Sequence, residues 1–414
     1  MLPRVETPIQ KLEEYKGLIS EEFFEVIEGL AKPLKGLKVI MVNSSPRGGG
    51  VAEILKSLIP LMKGVGIQAE WYTIPPREDF FKITKEIHNA LQGKEYTLPF
   101  RHRVRYLQHI ETSASLMRDM KADIWVIHDP QPAGVILYLP HFHPSICRLH
   151  IDLTFPNQET WNFFAGFFRM YDKVVLSSKE FIKKEIKEKA IVFPPAIDPL
   201  ASKNQPVNFT QAKETLKGFG INPSQPLISQ VSRFDPWKGF PGVIEAYQLA
   251  KNKIPGLQLA LVGFFLAQDD PEATKIYTSV KKKAEKEPDI FLFSDPQMLG
   301  SLKVDDFVNA IQVASDVVLQ NSTREGFGLT VAEAMWKGKA VIGGRAEGIK
   351  LQIQNGKNGF LVSDSEELAK RIIQLIKNPQ LAEKLGKTAK ETVKEKFLIP
   401  RLLRDYLKLF KELV

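Results

Sequence analysis

The sequence predicts an α/β protein of two domains, each an alternating set of strands and helices. Three observations carry this. Short β-branched runs alternate with longer amphipathic segments, at roughly one strand per 25 to 35 residues, the spacing a right-handed βαβ crossover needs. The 414 residues exceed what a single core usually organises. The stretch Pro194-Pro195-Ala196-Ile197-Asp198-Pro199 cannot continue a helix, and the first domain is expected to end beyond it, near residue 215.

Residues 1–36 read as an amphipathic helical lead-in, with Phe23, Phe24, Val26 and Ile27 as its apolar stripe. Core packing and a homodimer contact are both consistent with such a stripe. The first strand, 37–42, runs into Asn43-Ser44-Ser45-Pro46-Arg47-Gly48-Gly49-Gly50 and a helix over 51–63. A strand, a glycine loop and a helix start form an anion site, because loop amides and the helix dipole converge there. The loop has neither the spacing of a dinucleotide fingerprint nor the Lys-Ser/Thr of a P-loop.

A strand at 69–73 and helices at 80–91 and 101–120 follow. The strand 124–127 ends at His128-Asp129-Pro130-Gln131, where a histidine at a strand's carboxyl end can meet a ligand. His141, His143, Cys147 and His150 invite a zinc reading, but their spacing matches no common finger. The segment 148–153 alternates like a strand instead, sending Arg148, His150 and Asp152 to one face. A strand over 173–176 follows, with Ser177-Ser178-Lys179-Glu180 resembling a helix cap, and another over 191–193.

The second set opens at Pro226 with a strand that leads into Arg233-Phe-Asp-Pro-Trp-Lys238-Gly239, two cations set to converge on one anionic group. Strands are expected at 257–262, 289–293, 317–319, near 340 and at 359–362. Three helices, 365–378, a second ending at 395, and 400–413, close the chain.

The stretch 316–344 is central. A buried strand, a Gly326-Phe327-Gly328 turn and a helix over 329–337 carry Glu325 and, eight positions later, Glu333. That is a little over two helical turns, so both carboxylates can face one cleft at different depths. Glycines there admit a ligand close to the backbone, which suits a polyhydroxylated, anionic molecule.

Composition narrows the class. Hydrophobic residues at 43% and charged residues at 25% are ordinary for a globular protein. The lone Cys147 excludes an intrachain disulfide and suits a reducing compartment. Arg4, Glu6, Lys11 and Glu13 interrupt any apolar leader, and no run approaches the roughly 18 residues of a membrane span, so a cytoplasmic protein off the membrane is expected. The net charge of +9 lies largely in mixed helical runs such as 183–189, which read as solvated faces, and no aromatic and basic nucleic-acid motif is present. A modest positive field also attracts a nucleoside diphosphate.

The paired glutamates around Gly-Phe-Gly, the Arg233…Lys238-Gly239 loop and the triple glycine resemble the retaining, nucleotide-sugar-dependent glycosyltransferases of GT-B fold. His-Asp-Pro-Gln and Arg148-x-His150-Ile-Asp152 resemble the trehalose-forming and trehalose-phosphorolysing branch. The resemblance implies two doubly wound Rossmann-like domains with an interdomain cleft: 1–215 on the acceptor side, 216–393 binding the nucleotide sugar, and 394–414 a helix crossing back to the first. By resemblance Glu325 contacts the donor sugar and Glu333 the ribose, with Gly326, Phe327, Gly328 and Leu329 around them. Arg233 and Lys238 bind the diphosphate, and Gly48, Gly49 and Gly50 close over it.

His128 orients the acceptor or meets the sugar's primary hydroxyl, and Gln131, Arg148, His150 and Asp152 line the acceptor. The catalytic set so implied is Glu325, His128, Arg233 and Lys238. The implied activity makes trehalose from a nucleoside diphosphate glucose and glucose, reversibly. A trehalose phosphorylase, a sucrose- or glucan-type transferase and a nucleotide-sugar-binding regulator stand as alternatives. The chemistry requires no cofactor; Mg2+ stimulation is compatible with it, although Asp269-Asp270 and Asp305-Asp306 are adjacent pairs rather than an Asp-x-Asp signature.

Overall fold

The computed structural model describes residues 1–265 and 273–414. The chain divides into two compact units. Unit 1 comprises Met1–Ala196 and Ile399–Val414; unit 2 comprises Ile197–Phe265 and 273–398. Unit 2 thus begins earlier than the 216 read from sequence. Ile197 pairs with Leu398, and its amide donates to Phe397 O at 2.8 Å, so the chain has joined the second unit immediately after the two prolines.

Unit 1 holds a seven-stranded sheet of β1 (Arg4–Val5), β2 (Lys38–Asn43), β3 (Gln68–Thr73), β4 (Ile124–His128), β5 (Ser145–Arg148), β6 (Lys173–Leu176) and β7 (Ala190–Val192). Its spatial order is β1-β3-β2-β4-β5-β6-β7, parallel except for β1, which runs antiparallel to β3. The lead-in is therefore not wholly helical. A two-residue edge strand is too short to show any period.

The helix Glu21–Ala31 is capped by Ser20, whose Oγ accepts from the Phe23 amide, and it buries Phe24 and Ile27 while Val26 stays exposed. The terminal helix Ile399–Leu413 packs against it and against Gly50–Gly64. Arg401 fixes that terminal helix by donating to Pro194 O and Pro195 O at 2.8 and 2.7 Å while pairing with Asp405.

The expected strand over 148–153 lies instead at Ser145–Arg148. Its neighbours decide this: β4 ends at His128, which registers with Arg148, and β6 ends at Leu176, so no ladder remains beyond. All four residues of β5 are buried, and a strand covered on both faces shows no alternation to read. The Ser177–Glu180 cap is present, but it starts only a short 3-10 turn, Lys179–Phe181.

Unit 2 holds six parallel strands, β8 (Leu227–Val231), β9 (Gln258–Val262), β10 (Ile290–Phe293), β11 (Val317–Gln320), β12 (Val341–Gly344) and β13 (Phe360–Val362), in the order β10-β9-β8-β11-β12-β13. Each sheet is doubly wound. In unit 2 the chain starts at β8, steps outward through β9 and β10, then returns to β11 on the other side. Unit 1 does the same from β2, with β3 to one side and β4 to the other.

In such sheets ligands bind beyond the strands' carboxyl ends where the order reverses. Each unit has such a place of its own, reached by loops 43–50 and 129–131 in unit 1, and by loops 232–239 and 321–328 in unit 2. No helix among the described residues is long and apolar enough to cross a membrane.

Candidate active site

In unit 2 two buried glutamines tie the switch-point loops together. Gln230, at the end of β8, accepts from the Asn321 amide at 2.9 Å and donates to Lys238 O at 2.8 Å. Gln320, at the end of β11, donates to Ser322 Oγ at 2.9 Å and accepts from Thr330 Oγ1 at 3.0 Å. Satisfied polar groups inside a sheet fix one loop geometry, because any other leaves them unpaired.

On this frame Lys238 Nζ meets Glu325 Oε2 at 2.5 Å, with Ser322 Oγ 3.3 Å from the same oxygen. Both side chains are largely withdrawn from solvent, at 15% and 14% exposure. Such an ion pair is stronger than a surface one, since water screens it less. The approach depends on Gly239, whose φ is 63° and where an added Cβ would lie 2.1 Å from Asn321 O. Arg233 opens the same loop, one-third exposed, its guanidinium 3.7 Å from Asp235, whose other oxygen accepts from the Trp237 amide.

The turn after Glu325 ends at Gly328, φ 87°, which precedes the helix Leu329–Trp336. Gln352 braces it by donating to Phe327 O and Gly328 O at 2.5 and 3.1 Å, and Glu325 O accepts from the Gly348 amide at 2.9 Å. Phe327 is turned into the core against Phe397, ring centroids 5.3 Å apart, so only its main chain is left for a ligand.

Glu333 is buried on that helix, and its Oε1 is 2.8 Å from Lys203 Nζ. Beside it Lys337 Nζ donates to Asn204 Oδ1, Gln312 Oε1 and Glu333 O. Burial pushes the Lys337 ammonium down to about 7; Lys203 lowers it further and Glu333 opposes.

In unit 1 Gly48 adopts φ 79°, and Gly49 and Gly50 form the start of the fifteen-residue helix Gly50–Gly64. Asn43 holds the loop, donating to Ser45 O and accepting from Trp71 Nε1, both at 2.7 Å.

Across the switch point His128 is buried, with Nδ1 3.0 Å from His150 Nε2 and the rings nearly parallel at 19°. His128 Nε2 has no hydrogen-bond partner, nor has Gln131 Oε1. Burial, and secondarily the Arg148 charge, push the His128 imidazole down to about 3; burial lowers His150 well below the ordinary value too. Both rings are neutral at physiological pH. Asp129, at φ 68°, accepts from the His150 amide at 2.7 Å and so holds the two loops together.

Arg148 and Asp152 each hold neighbouring chain segments. Arg148 Nη1 donates to Phe193 O at 2.8 Å, stacks over the Phe193 ring, and leaves Nη2 without a partner. Asp152 Oδ1 accepts from the Thr154 amide and hydroxyl at 2.9 and 2.6 Å. The zinc candidates diverge: Cys147 is buried in β5, His143 pairs with Asp172 and His150 with His128. Among the described residues no group of three or more His, Cys, Asp or Glu is arranged to hold a metal ion. Asp305 and Asp306 lie in the first turn of the helix Val304–Ala314, and Asp269-Asp270 lies outside the described residues.

The sequence reading missed Lys203, Gln230, Gln320 and Gln352. The two strand-end glutamines carried a signal, a polar residue closing an apolar strand. Lys203 and Gln352 come from distant segments and carried none.

The chain matches the family model "Trehalose synthase, N-terminal domain" over residues 41–183 and "Glycosyl transferases group 1" over 211–392. It is 43% identical to the trehalose synthase of Pyrococcus horikoshii, covering 98% of this chain and 97% of that protein. The chain belongs to this family. A trehalose synthase from Rubrobacter xylanophilus is 38% identical with both chains covered in full. A trehalose phosphorylase from Pleurotus pulmonarius is 28% identical, and 59% of its length is spanned.

Among solved structures, trehalose-6-phosphate from E. coli bound with UDP-2-fluoro glucose superposes with a TM-score of 0.72 at 14% identity, covering 91% of this chain and 99% of that one. The family's fold is GT-B, and the two doubly wound sheets conform to it. Its group 1 transferase model spans the switch-point loops of unit 2, and its trehalose synthase model those of unit 1.

Proposed function

We propose that the protein transfers glucose from a nucleoside diphosphate glucose to free glucose, forming trehalose with the α configuration retained. The observation that carries this reading is the Lys238–Glu325 pair at the switch point of unit 2. An ammonium and a carboxylate side by side suit a ligand that presents a diphosphate next to a sugar: the cation answers the phosphate and the carboxylate accepts from hydroxyls. Trehalose as product is supported by the trehalose synthases, similar along their whole length.

In this reading Arg233 and Lys238 neutralise the charge growing on the departing diphosphate, where fixed cations lower the barrier most. Glu325 holds the donor glucose, and the main chain of Gly326, Phe327, Gly328 and Leu329 approaches it. Glu333 accepts from the ribose hydroxyls. Gly48, Gly49 and Gly50 of unit 1 offer a helix start suited to an anionic group. The glucosyl centre passes through an oxocarbenium-like state, and the acceptor hydroxyl attacks on the face the phosphate leaves, giving its proton to the leaving oxygen. His128, neutral and with Nε2 free, hydrogen-bonds a sugar hydroxyl; Gln131 Oε1 accepts from another. Mg2+ enters as a counter-ion of the nucleotide and not as a resident cofactor.

The test incubates the protein with glucose and UDP-glucose or ADP-glucose in turn, measuring nucleoside diphosphate release and disaccharide together. Equal yields of the two, lost in Glu325→Ala, are expected. Glucose 1-phosphate formed from trehalose and phosphate, with neither nucleotide sugar used, would make the protein a phosphorylase. Nucleotide-sugar binding without turnover would make it a regulator.

A further inference from the structure

Glu333 does not stand alone on its helix. Lys203 reaches it from the turn Ser202–Asn204, some 130 residues earlier. Both belong to unit 2, both side chains are withdrawn from solvent, at 16% and 3% exposure, and the ion pair engages Oε1 of the carboxylate.

The turn that presents Lys203 is fastened at every residue. Ser202 Oγ is 3.1 Å from Asp305 Oδ2, and Asn309 Nδ2 donates to Ser202 O and Gln205 O at 3.3 and 2.9 Å. Asn204 accepts from Trp336 Nε1 through its carbonyl at 3.2 Å and from Lys337 Nζ through its side chain at 3.0 Å, and donates to Asp198 O at 2.9 Å. Trp336 and Lys337 follow Glu333 on the same helix end. The turn is thus bolted to the element that carries the carboxylate, and the position of Lys203 relative to Glu333 is fixed from both sides.

A buried carboxylate whose one oxygen is clamped has one orientation left for the other. A vicinal diol needs such an acceptor: two adjacent hydroxyls donating to a carboxylate that cannot rotate. We propose that Lys203 is a positioning residue for the nucleotide, clamping Glu333 through one oxygen so that the other selects a ribose diol over a 2′-deoxyribose. This rests on the reading that the donor is a nucleoside diphosphate sugar bound at Glu333. Without the clamp the carboxylate turns or draws in water, and the diol loses its fixed acceptor.

The test compares wild type, Lys203→Met, Lys203→Arg and Glu333→Gln with UDP-glucose and 2′-deoxy-UDP-glucose, or the ADP pair if that donor is the one used. Lys203→Met is expected to raise the KM for the ribonucleotide donor about tenfold, the order of one charge-assisted hydrogen bond. The kcat and the KM for glucose should stay within twofold, and the preference for ribo- over deoxyribonucleotide should shrink toward that of Glu333→Gln. Lys203→Arg should restore most of the preference.

A Lys203→Met enzyme with unchanged donor KM and unchanged ribose preference overturns the proposal. So does a loss of kcat and melting temperature without a shift in preference, which is what a merely structural ion pair would give. If Lys203→Met does not fold, Lys203→Gln and the arginine variant supply the same comparison. Failure of the underlying reading appears earlier and separately: the wild type then turns over no nucleoside diphosphate glucose, and both ideas fall.

Discussion

Lys238 and Glu325 are 87 residues apart in sequence and meet because two strand-end loops converge. Both side chains are largely withdrawn from solvent, so replacing one takes a close ion-pair partner from the other. Lys238→Met is expected to lower kcat at least about 100-fold, the scale of losing one preorganised group at developing charge, with a smaller change in donor KM. Initial rates with varied donor measure this, and a loss under threefold would remove Lys238 from the chemistry.

His128 makes a second claim at this scale. Its unfolded value is the ordinary 6.5 and its folded value about 3, with burial as the first cause. The unfolded chain binds that proton first. Stability is therefore full above pH 6.5 and declines as pH falls toward 3, by about 1.4 kcal/mol per unit for a single such group. Chemical denaturation from pH 7 to 4 should show the decline, and His128→Gln should flatten part of it. An equally steep slope in the variant would show that the proton goes elsewhere.

At the scale of elements, the sheet strands were legible because most are short apolar runs between glycine and proline punctuation, and the helices because their apolar faces recur at helical spacing. β5 was misplaced since a fully buried strand carries no alternation, and β1 was missed because two residues carry no pattern. The switch-point loops were legible as loops with charges and glycines. What they pack against was not: Gln230, Gln352 and Lys203 act across sequence distances at which no local period exists.

Gly239 is where element and site meet. With φ at 63° and Asn321 O where a Cβ would go, Gly239→Ala forces the Lys238 loop away from the β11 loop. It is expected to destabilise unit 2 by about 1–3 kcal/mol and to raise donor KM. Denaturant midpoints together with donor KM check this, and a variant unchanged in both would show that the loop has room the structure does not display.

At the scale of the whole molecule, the same doubly wound plan occurs twice, and each unit gathers its polar residues at its own reversal of strand order. The paired glutamates and the basic loop were legible because charges beside glycines are unusual at strand ends. The neutral histidine pair was legible only by half: His128 and His150 could each be singled out, while their contact depends on β4 and β5 lying side by side.

The central claim is transfer of glucose from a nucleotide to glucose. It is tested most directly by supplying the nucleotide sugar with carbon-13 at the glucosyl C1, together with unlabelled glucose, and following that carbon by NMR. The expected result is label at one anomeric carbon of α,α-trehalose, with the small coupling of an α linkage, appearing as nucleoside diphosphate is released. Label that stays in the donor, or emerges as free glucose or in a β-linked product, would contradict it.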